Sequence, residues 1–237
     1  MCIRDSIQPK GFTTTIVDQN GTVIDTLKDS DSNRVYRTYD EITAKSDFLP
    51  HAFVAIEDER FYDHNGIDIQ GILRAGVVGV MNGFDFTEGA STLTQQLIKN
   101  NVFDFVNEKT FFDRVERKLQ EQYLALAFEK EMDKNEILEA YLNTINLGQG
   151  CLGVQTASTR YFNKDVADLT LSECAVIAAI TQNPTKYDPV TNPDSNAKRR
   201  EKVLDNMLEQ EYINQAQYDE ALADPVSVSY THLRAHE

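Results

Sequence analysis

The sequence predicts a mainly α domain with a small β-hairpin at its front. Three observations lead there. From Pro50 onward, apolar residues recur at helical spacing almost to the end. Helix-start pairs precede several of those runs: Asp133 with Glu136, Thr170 with Glu173, and Asn214 with Gln217. Near the front, two β-branched-rich runs flank Asn20-Gly21, a favoured tight-turn pair.

The hairpin takes residues 12–18 and 22–27, and residues 28–47 are polar and irregular. Pro50 opens the first helix and Asn65-Gly66 closes it. A second helical stretch covers 68–82, a loop covers 83–89, and helices follow over 91–101 and 112–131. The Asp133 and Glu136 pair starts a helix that ends at Gly148. Thr170 and Glu173 start the next, and Asn183-Pro184 stops it. The 194–211 helix carries Val203, Leu204, Met207 and Leu208 at helical spacing, and a short helix follows Asn214. The two ends fit no neighbouring pattern. Residues 1–6 read as a non-native leader and 228–237 as a non-native tail, resembling translated adaptor sequence. That leaves 7–47 for the hairpin and linker and 48–223 for the main helical domain.

With 41% apolar and 26% charged residues in 237, the chain can bury a sizeable core. Lys and Arg number 23 against 38 Asp and Glu, a net charge of −15. Such acidity argues against nucleic acid as a partner, and any anionic ligand needs a local basic cluster. No apolar run approaches the roughly 18 residues of a membrane span, and no signal peptide is visible. Cys2, Cys151 and Cys174 form no CxxC pair and have no His at metal-ligand spacing. Cys151 and Cys174 are expected as buried free thiols, with a disulfide between them as the alternative.

Four constellations can carry chemistry. On a helix, Phe53, Glu57, Phe61 and His64 share one face, which sets Glu57 on an aromatic stripe and turns Asp58 and Glu59 elsewhere. A carboxylate that loses hydration there suits general acid or base work. Gly89-Ala90-Ser91-Thr92 leads into a helix start whose N–H groups can meet an anion, with Thr92, Gln96 and Lys99 on one stripe flanked by Gln95. Arg114, Arg117, Lys118 and Glu121 lie within a sector of roughly 100° that Ala125 and Phe128 continue as apolar, so this helix runs from a polar cleft into a core. The fourth constellation is Tyr161-Phe162-Asn163-Lys164 with the turn over 183–189. Taken singly, each also reads as ordinary. Glu57 can be a helix-terminal acid paired with Arg60 or His64, and the second constellation a capped, solvated helix face. The third can be a set of ion pairs worth a few tenths of a kcal/mol each, and the fourth a loop and a turn.

In order and spacing, these segments resemble the family 51 peptidoglycan glycosyltransferases, the polymerase domain of class A penicillin-binding proteins and monofunctional transglycosylases. The matching motifs are Glu57-Asp58 with Phe61, His64 and Gly66, then residues 89–96 with Lys99-Asn100, then Arg117-Lys118 with Glu121. Ile137-Leu138-Glu139-Ala140-Tyr141-Leu142-Asn143 with Gly148 follows, and then Tyr161-Phe162 with Lys164, Leu171-Ser172-Glu173 and Pro184 to Pro189. The resemblance covers about residues 12–223. Cys174, where the family usually has alanine, and Thr181-Gln182-Asn183 depart from its pattern.

The resemblance implies a lysozyme-like, mostly α glycosyltransferase domain over 48–223. It would polymerise lipid II into β-1,4 glycan with inversion and release undecaprenyl diphosphate. Glu57 would be the general base and Glu121 the second catalytic carboxylate. Ser91, Thr92, Gln95, Gln96, Lys99, Asn100, Arg117, Lys118, Arg60, His64 and Lys164 would bind substrate, with cations gathered round the diphosphate. No cofactor is required. A divalent cation could assist, although no Asp-rich metal motif is present. Implied partners are lipid II, the growing strand, the membrane surface that carries them and other cell-wall synthesis proteins. The implied location is the outer face of a bacterial cell membrane. The family's anchor helix should precede the hairpin, and this sequence does not contain it.

Two rivals stand beside this reading. A lysozyme-like hydrolase would also use two carboxylates but needs no cluster like Lys99, Arg117 and Lys118. A catalytically dead scaffold or lipid-binding module would fit a replaced Glu57 or Glu121, and both are intact. Three geometric expectations follow. Both carboxylates open into one groove, Glu121 lies nearer Arg117 or Lys118 than Glu57 does, and Glu57 is the more desolvated. Ile72, Leu73, Val77, Val78, Val80, Met81, Phe84 and Phe86 suit either a core or a flank touching the membrane.

Overall fold

The computed structural model describes residues 14–17, 23–27, 33–81, 90–103 and 110–228. The leader, the Asn20-Gly21 turn, the 83–89 loop and residues 229–237 lie outside the described residues. The chain divides into two units. One is built on Glu57–Leu138, the other on Pro9–Ile56 with Glu139–Glu237.

Among the described residues, most of the buried apolar side chains belong to the second unit. Strands β1 (Thr14–Val17) and β2 (Val23–Leu27) pair antiparallel, with a register shift between Ile16 and Val17. Helix α1 (Tyr39–Ile42) starts on a Thr38/Glu41 capping box. Helix α2 (Phe48–Glu57) buries Leu49, Ala52, Phe53, Val54 and Ala55. Helix α6 (Lys134–Thr144) presents Tyr141 edge-on to Phe53, 6.0 Å between ring centroids. Its Asn143 donates to the Arg37 carbonyl and accepts from the Arg37 amide, which pins the chain ahead of α1. Glu139 accepts from the Tyr39 amide and the Tyr36 hydroxyl. The polar residues of that motif thus fasten backbone. Helix α7 (Val154–Phe162) leads through a 3-10 turn (Val166–Asp168) to α8 (Leu171–Ala179), which is buried along its whole length. Helices α9 (Pro193–Glu209) and α10 (Gln215–Ala223) complete the unit. The helix starts at Thr170/Glu173 and Asn214/Gln217 form full capping boxes, as the sequence predicts. Cys151 and Cys174 are buried free thiols, and burial pushes Cys151 up to about 12.

In the first unit, α3 (Ile69–Met81), α4 (Leu93–Val102) and α5 (Phe111–Glu131) follow a run of turns over 58–66. Leu93, Leu97 and Ile98 of α4 are fully buried, as is Ala125 of α5, and the two helices pack together. The apolar continuation of the α5 sector is realised: Glu121 and Ala125 are 0% exposed and Phe128 is 1% exposed. The opposite face of α5 is apolar and open, with Leu119 at 62% and Tyr123 at 74%. On α3, Ile69, Leu73, Val77 and Met81 are also exposed, so these positions are flank and not core.

Two expected helices end early: α6 closes at Thr144 and not at Gly148, and α2 is the larger miss. It closes at Glu57 rather than at Asn65-Gly66. Tertiary burial outweighs local helix preference here. Phe61 is fully buried, and His64 folds back onto Asp58, which a continuous helix would not allow. Glu57 therefore ends a helix and does not stand on a stripe with Phe61 and His64.

Candidate active site

Asp58, expected to point away from the aromatic stripe, is the first fixed point of the site. Its side chain is 2% exposed. Oδ2 accepts from the Leu93 amide at 2.9 Å, so the turn is tied to the first residue of α4. His64 Nε2 lies 2.9 Å from Oδ1. The Gly66 amide donates to His64 Nδ1 at 3.1 Å, so Nδ1 carries no proton and Nε2–H donates to Asp58. Gly66 has φ +91°, and a Cβ there would stand 2.6 Å from the Ala125 carbonyl oxygen of α5. A glycine satisfies both the backbone angle and the close approach.

The α4 start is capped rather than open. Thr92 Oγ1 accepts from the Gln95 amide and donates to the Gly66 carbonyl at 2.9 Å. Gln95 Nε2 donates to the same carbonyl at 3.1 Å. Thr92 and Gln95 are each 1% exposed, so they hold the site from behind. The Leu93 and Gln95 amides, expected to face an anion, are taken by Asp58 and Thr92.

Glu121 is the most deeply buried carboxylate of the site, 0% exposed in the middle of α5. Arg117 Nη1 donates to its Oε1, and Lys118 Nζ to its Oε2 at 3.0 Å. Two cations offset the cost of burying one charge. The same Lys118 Nζ reaches Ser91 Oγ at 2.7 Å and Gln95 Oε1 at 3.1 Å. The next residue of α4, Gln96, donates from Nε2 to Glu57 Oε2 at 3.0 Å. Consecutive residues of one helix thus touch the two carboxylate neighbourhoods. Glu57 is only half-buried, which reverses the expected order of desolvation. It sits at a helix end, whereas Glu121 is inside a packed helix face. Of the other two expectations, one holds: Arg117 and Lys118 bond Glu121, while Gln96 bonds Glu57. The shared groove is not met, because Glu121 is 0% exposed and does not line the crevice at Glu57.

Lys99 and Asn100 are exposed in the last turns of α4, and Lys99 lies three residues on from Gln96, on the same face. Arg60 is committed to Asp68 through Nε and Nη2, at 3.1 and 2.6 Å. That hydrogen bond holds the Arg60 guanidinium above its ordinary value. Burial pushes Asp68 up, yet the bonds from Arg60 and the Gly71 amide outweigh it and hold Asp68 below the usual carboxylate range. Lys164 belongs to the other unit and bonds Glu173 at 2.7 and 2.9 Å.

Among the described residues, no three His, Cys, Asp or Glu side chains gather as a metal site, and no described helix is long and apolar enough to cross a membrane. A crevice of about 30 Å³ lies against Glu57 and Ser91. A larger cavity of about 660 Å³, in the second unit beside Gln149 and Asp188, holds none of the candidate residues. The candidate site therefore rests on its side-chain network, not on cavity volume.

Sequence reasoning missed Thr94, Glu129 and Lys134. Glu129 accepts from Thr94 Oγ1 and from Lys134 Nζ, both at 2.5 Å. One signal was present: Lys134 is the first residue of α6, where the helix dipole disfavours a cation, so it needs a partner.

Comparison with known proteins bears on the same segments. The transglycosylase family model matches residues 20–208. Penicillin-binding protein 1A of Clostridium perfringens (strain 13 / Type A) is 42% identical over 225 residues, 92% of this chain and 32% of the relative. Penicillin-binding protein 1F of Bacillus subtilis (strain 168) is 43% identical over 199 residues, 84% of this chain and 26% of the relative. This chain thus spans about a third or less of these relatives. A crystal structure of penicillin-binding protein 1A from Haemophilus influenzae superposes with a TM-score of 0.51 at 23% identity, covering 94% of this chain and 21% of that one. That likeness speaks to the fold alone.

Proposed function

Since the chain belongs to the transglycosylase family, we propose that it is a peptidoglycan glycosyltransferase that polymerises lipid II into β-1,4 glycan strands with inversion. The growing strand, linked at its anomeric carbon to undecaprenyl diphosphate, is the donor. The 4-hydroxyl of an incoming lipid II attacks that carbon. The new C–O bond forms as the bond to the diphosphate breaks, and the hydroxyl proton passes to Glu57. A sugar hydroxyl is a weak nucleophile, and a positioned base typically contributes about 10²–10⁴-fold. The leaving diphosphate gathers negative charge, and preorganised cations stabilise it. Arg117 and Lys118 supply that charge, with Lys99 as a third cation. Buried Glu121 holds the first two in place and positions the reacting groups. Ser91 and Gln96 contact the donor, while Thr92, Gln95 and His64 support them from behind. Arg60 and Asn100 are proposed as outer contacts.

The observation that carries this reading is the pair of adjacent α4 residues, Gln95 on Lys118 and Gln96 on Glu57. One element thereby links both carboxylate neighbourhoods, and the cations on Glu121 suit the charge that a leaving diphosphate gathers. The lipid-linked substrate resides in a membrane, and the exposed apolar face of α3 is the surface offered to it. The proposed location is the outer face of a bacterial cell membrane, among other cell-wall synthesis proteins. The test is incubation of the purified chain with lipid II. Glycan strands and free undecaprenyl diphosphate are expected from the unaltered protein, and neither from a folded Glu57→Gln variant. Strand synthesis by Glu57→Gln would rule out the base assignment.

A further inference from the structure

Glu129 and Lys134 lie outside every motif used above, yet they form a nearly closed network beside the turn that follows Glu57. Glu129 is 3% exposed at its side chain and Lys134 22%. Each Glu129 oxygen has a partner. Oε1 accepts from Thr94 of α4, Oε2 accepts from Lys134, and His64 Nδ1 lies 4.0 Å from Oε1. Lys134 Nζ also donates to the His64 carbonyl at 2.7 Å and sits 4.4 Å over the Phe61 ring. A single ammonium thus holds the Phe61 and His64 turn by its backbone and an aromatic face. Through Glu129 and Thr94 the same ammonium is tied to α5 and α4. These are the two helices that carry Gln96, Lys118 and Glu121.

We propose that Lys134 and Glu129 are positioning residues that clamp the 58–66 turn, and so fix Glu57 against Gln96. The proposal rests on the glycosyltransferase reading for its kinetic consequence, but its geometric consequence is independent. Removing Lys134 alone strands a buried carboxylate and destabilises the protein for that reason. A Lys134→Met, Glu129→Gln double variant removes the charge together with its partner. The amide keeps an acceptor for Thr94, while the tether to the His64 carbonyl and the cation over the Phe61 ring are lost.

The experiment compares the unaltered protein, Lys134→Met and the double variant in three readouts. These are the thermal midpoint, kcat and KM on lipid II, and hydrogen exchange of the Gly66 amide. The expected double variant recovers a midpoint within a few degrees of the unaltered protein. Its kcat stays at least tenfold down with KM within twofold, and its Gly66 amide, which donates to His64, exchanges at least tenfold faster. A double variant with normal kcat and normal Gly66 protection overturns the clamp, because restored packing alone then suffices. A double variant that does not recover its midpoint also overturns it, because the pair is then merely structural. If the unaltered protein makes no glycan, the function reading falls, and Gly66 exchange still decides the clamp.

Discussion

Glu121 shows how one residue can be both costly and required. A carboxylate at 0% exposure is tolerable only because Arg117 and Lys118 arrive from the preceding turn of the same helix. Their i+3 and i+4 spacing made that trio legible in the sequence. The bond from Gln96 to Glu57 was not legible, because it joins residues 39 apart through tertiary contact. Lys118→Met leaves Arg117 as the remaining partner of Glu121. It should therefore fold and lose about 1–3 kcal/mol, the usual cost of an unmet buried hydrogen bond. It should also weaken binding of diphosphate-bearing donors more than of the undecorated sugar. Denaturant titration and calorimetry on both ligands check this. Equal weakening for the two ligands would remove Lys118 from the diphosphate site.

At the scale of elements, the capped helix starts were legible, but two helix ends and the whole of α7 were not. The starts at Asp133, Thr170 and Asn214 obey local capping chemistry within four residues. The end of α2 depends on Asp58 meeting the Leu93 amide 35 residues away, which no local pattern encodes. The apolar run after residue 68 was ambiguous for a similar reason, since helical spacing does not say which face finds a partner. In the structure Ile69, Leu73, Val77 and Met81 stand 67%, 64%, 60% and 80% exposed. Inserting one Leu side chain into an apolar phase gains about 1.5–3 kcal/mol. Leu73→Glu should therefore lower partition onto phosphatidylcholine vesicles by roughly tenfold or more without altering the fold. Unchanged co-sedimentation would show that α3 is not the membrane-facing element.

Across the whole molecule, the chain carries a net charge of −15, yet its candidate site concentrates Arg117, Lys118 and Lys99 on two helices. The field of the whole chain repels an anionic substrate, so capture of a diphosphate has to be short-range, by cations already held in place. With Lys164 set apart, every residue assigned to the site falls in the unit built on Glu57–Leu138. The central claim is a division of labour, in which Glu57 moves a proton while Glu121 and its cations hold the leaving group. The measurement that tests it most directly sets lipid II affinity beside the single-turnover rate for the Glu57→Gln and Arg117→Ala variants. The account predicts that Glu57→Gln binds lipid II within about twofold of the unaltered protein while its rate falls by roughly 10²–10⁴. Arg117→Ala should lose affinity as well as rate. A Glu57→Gln variant that loses affinity but turns over what it binds at the normal rate would contradict it.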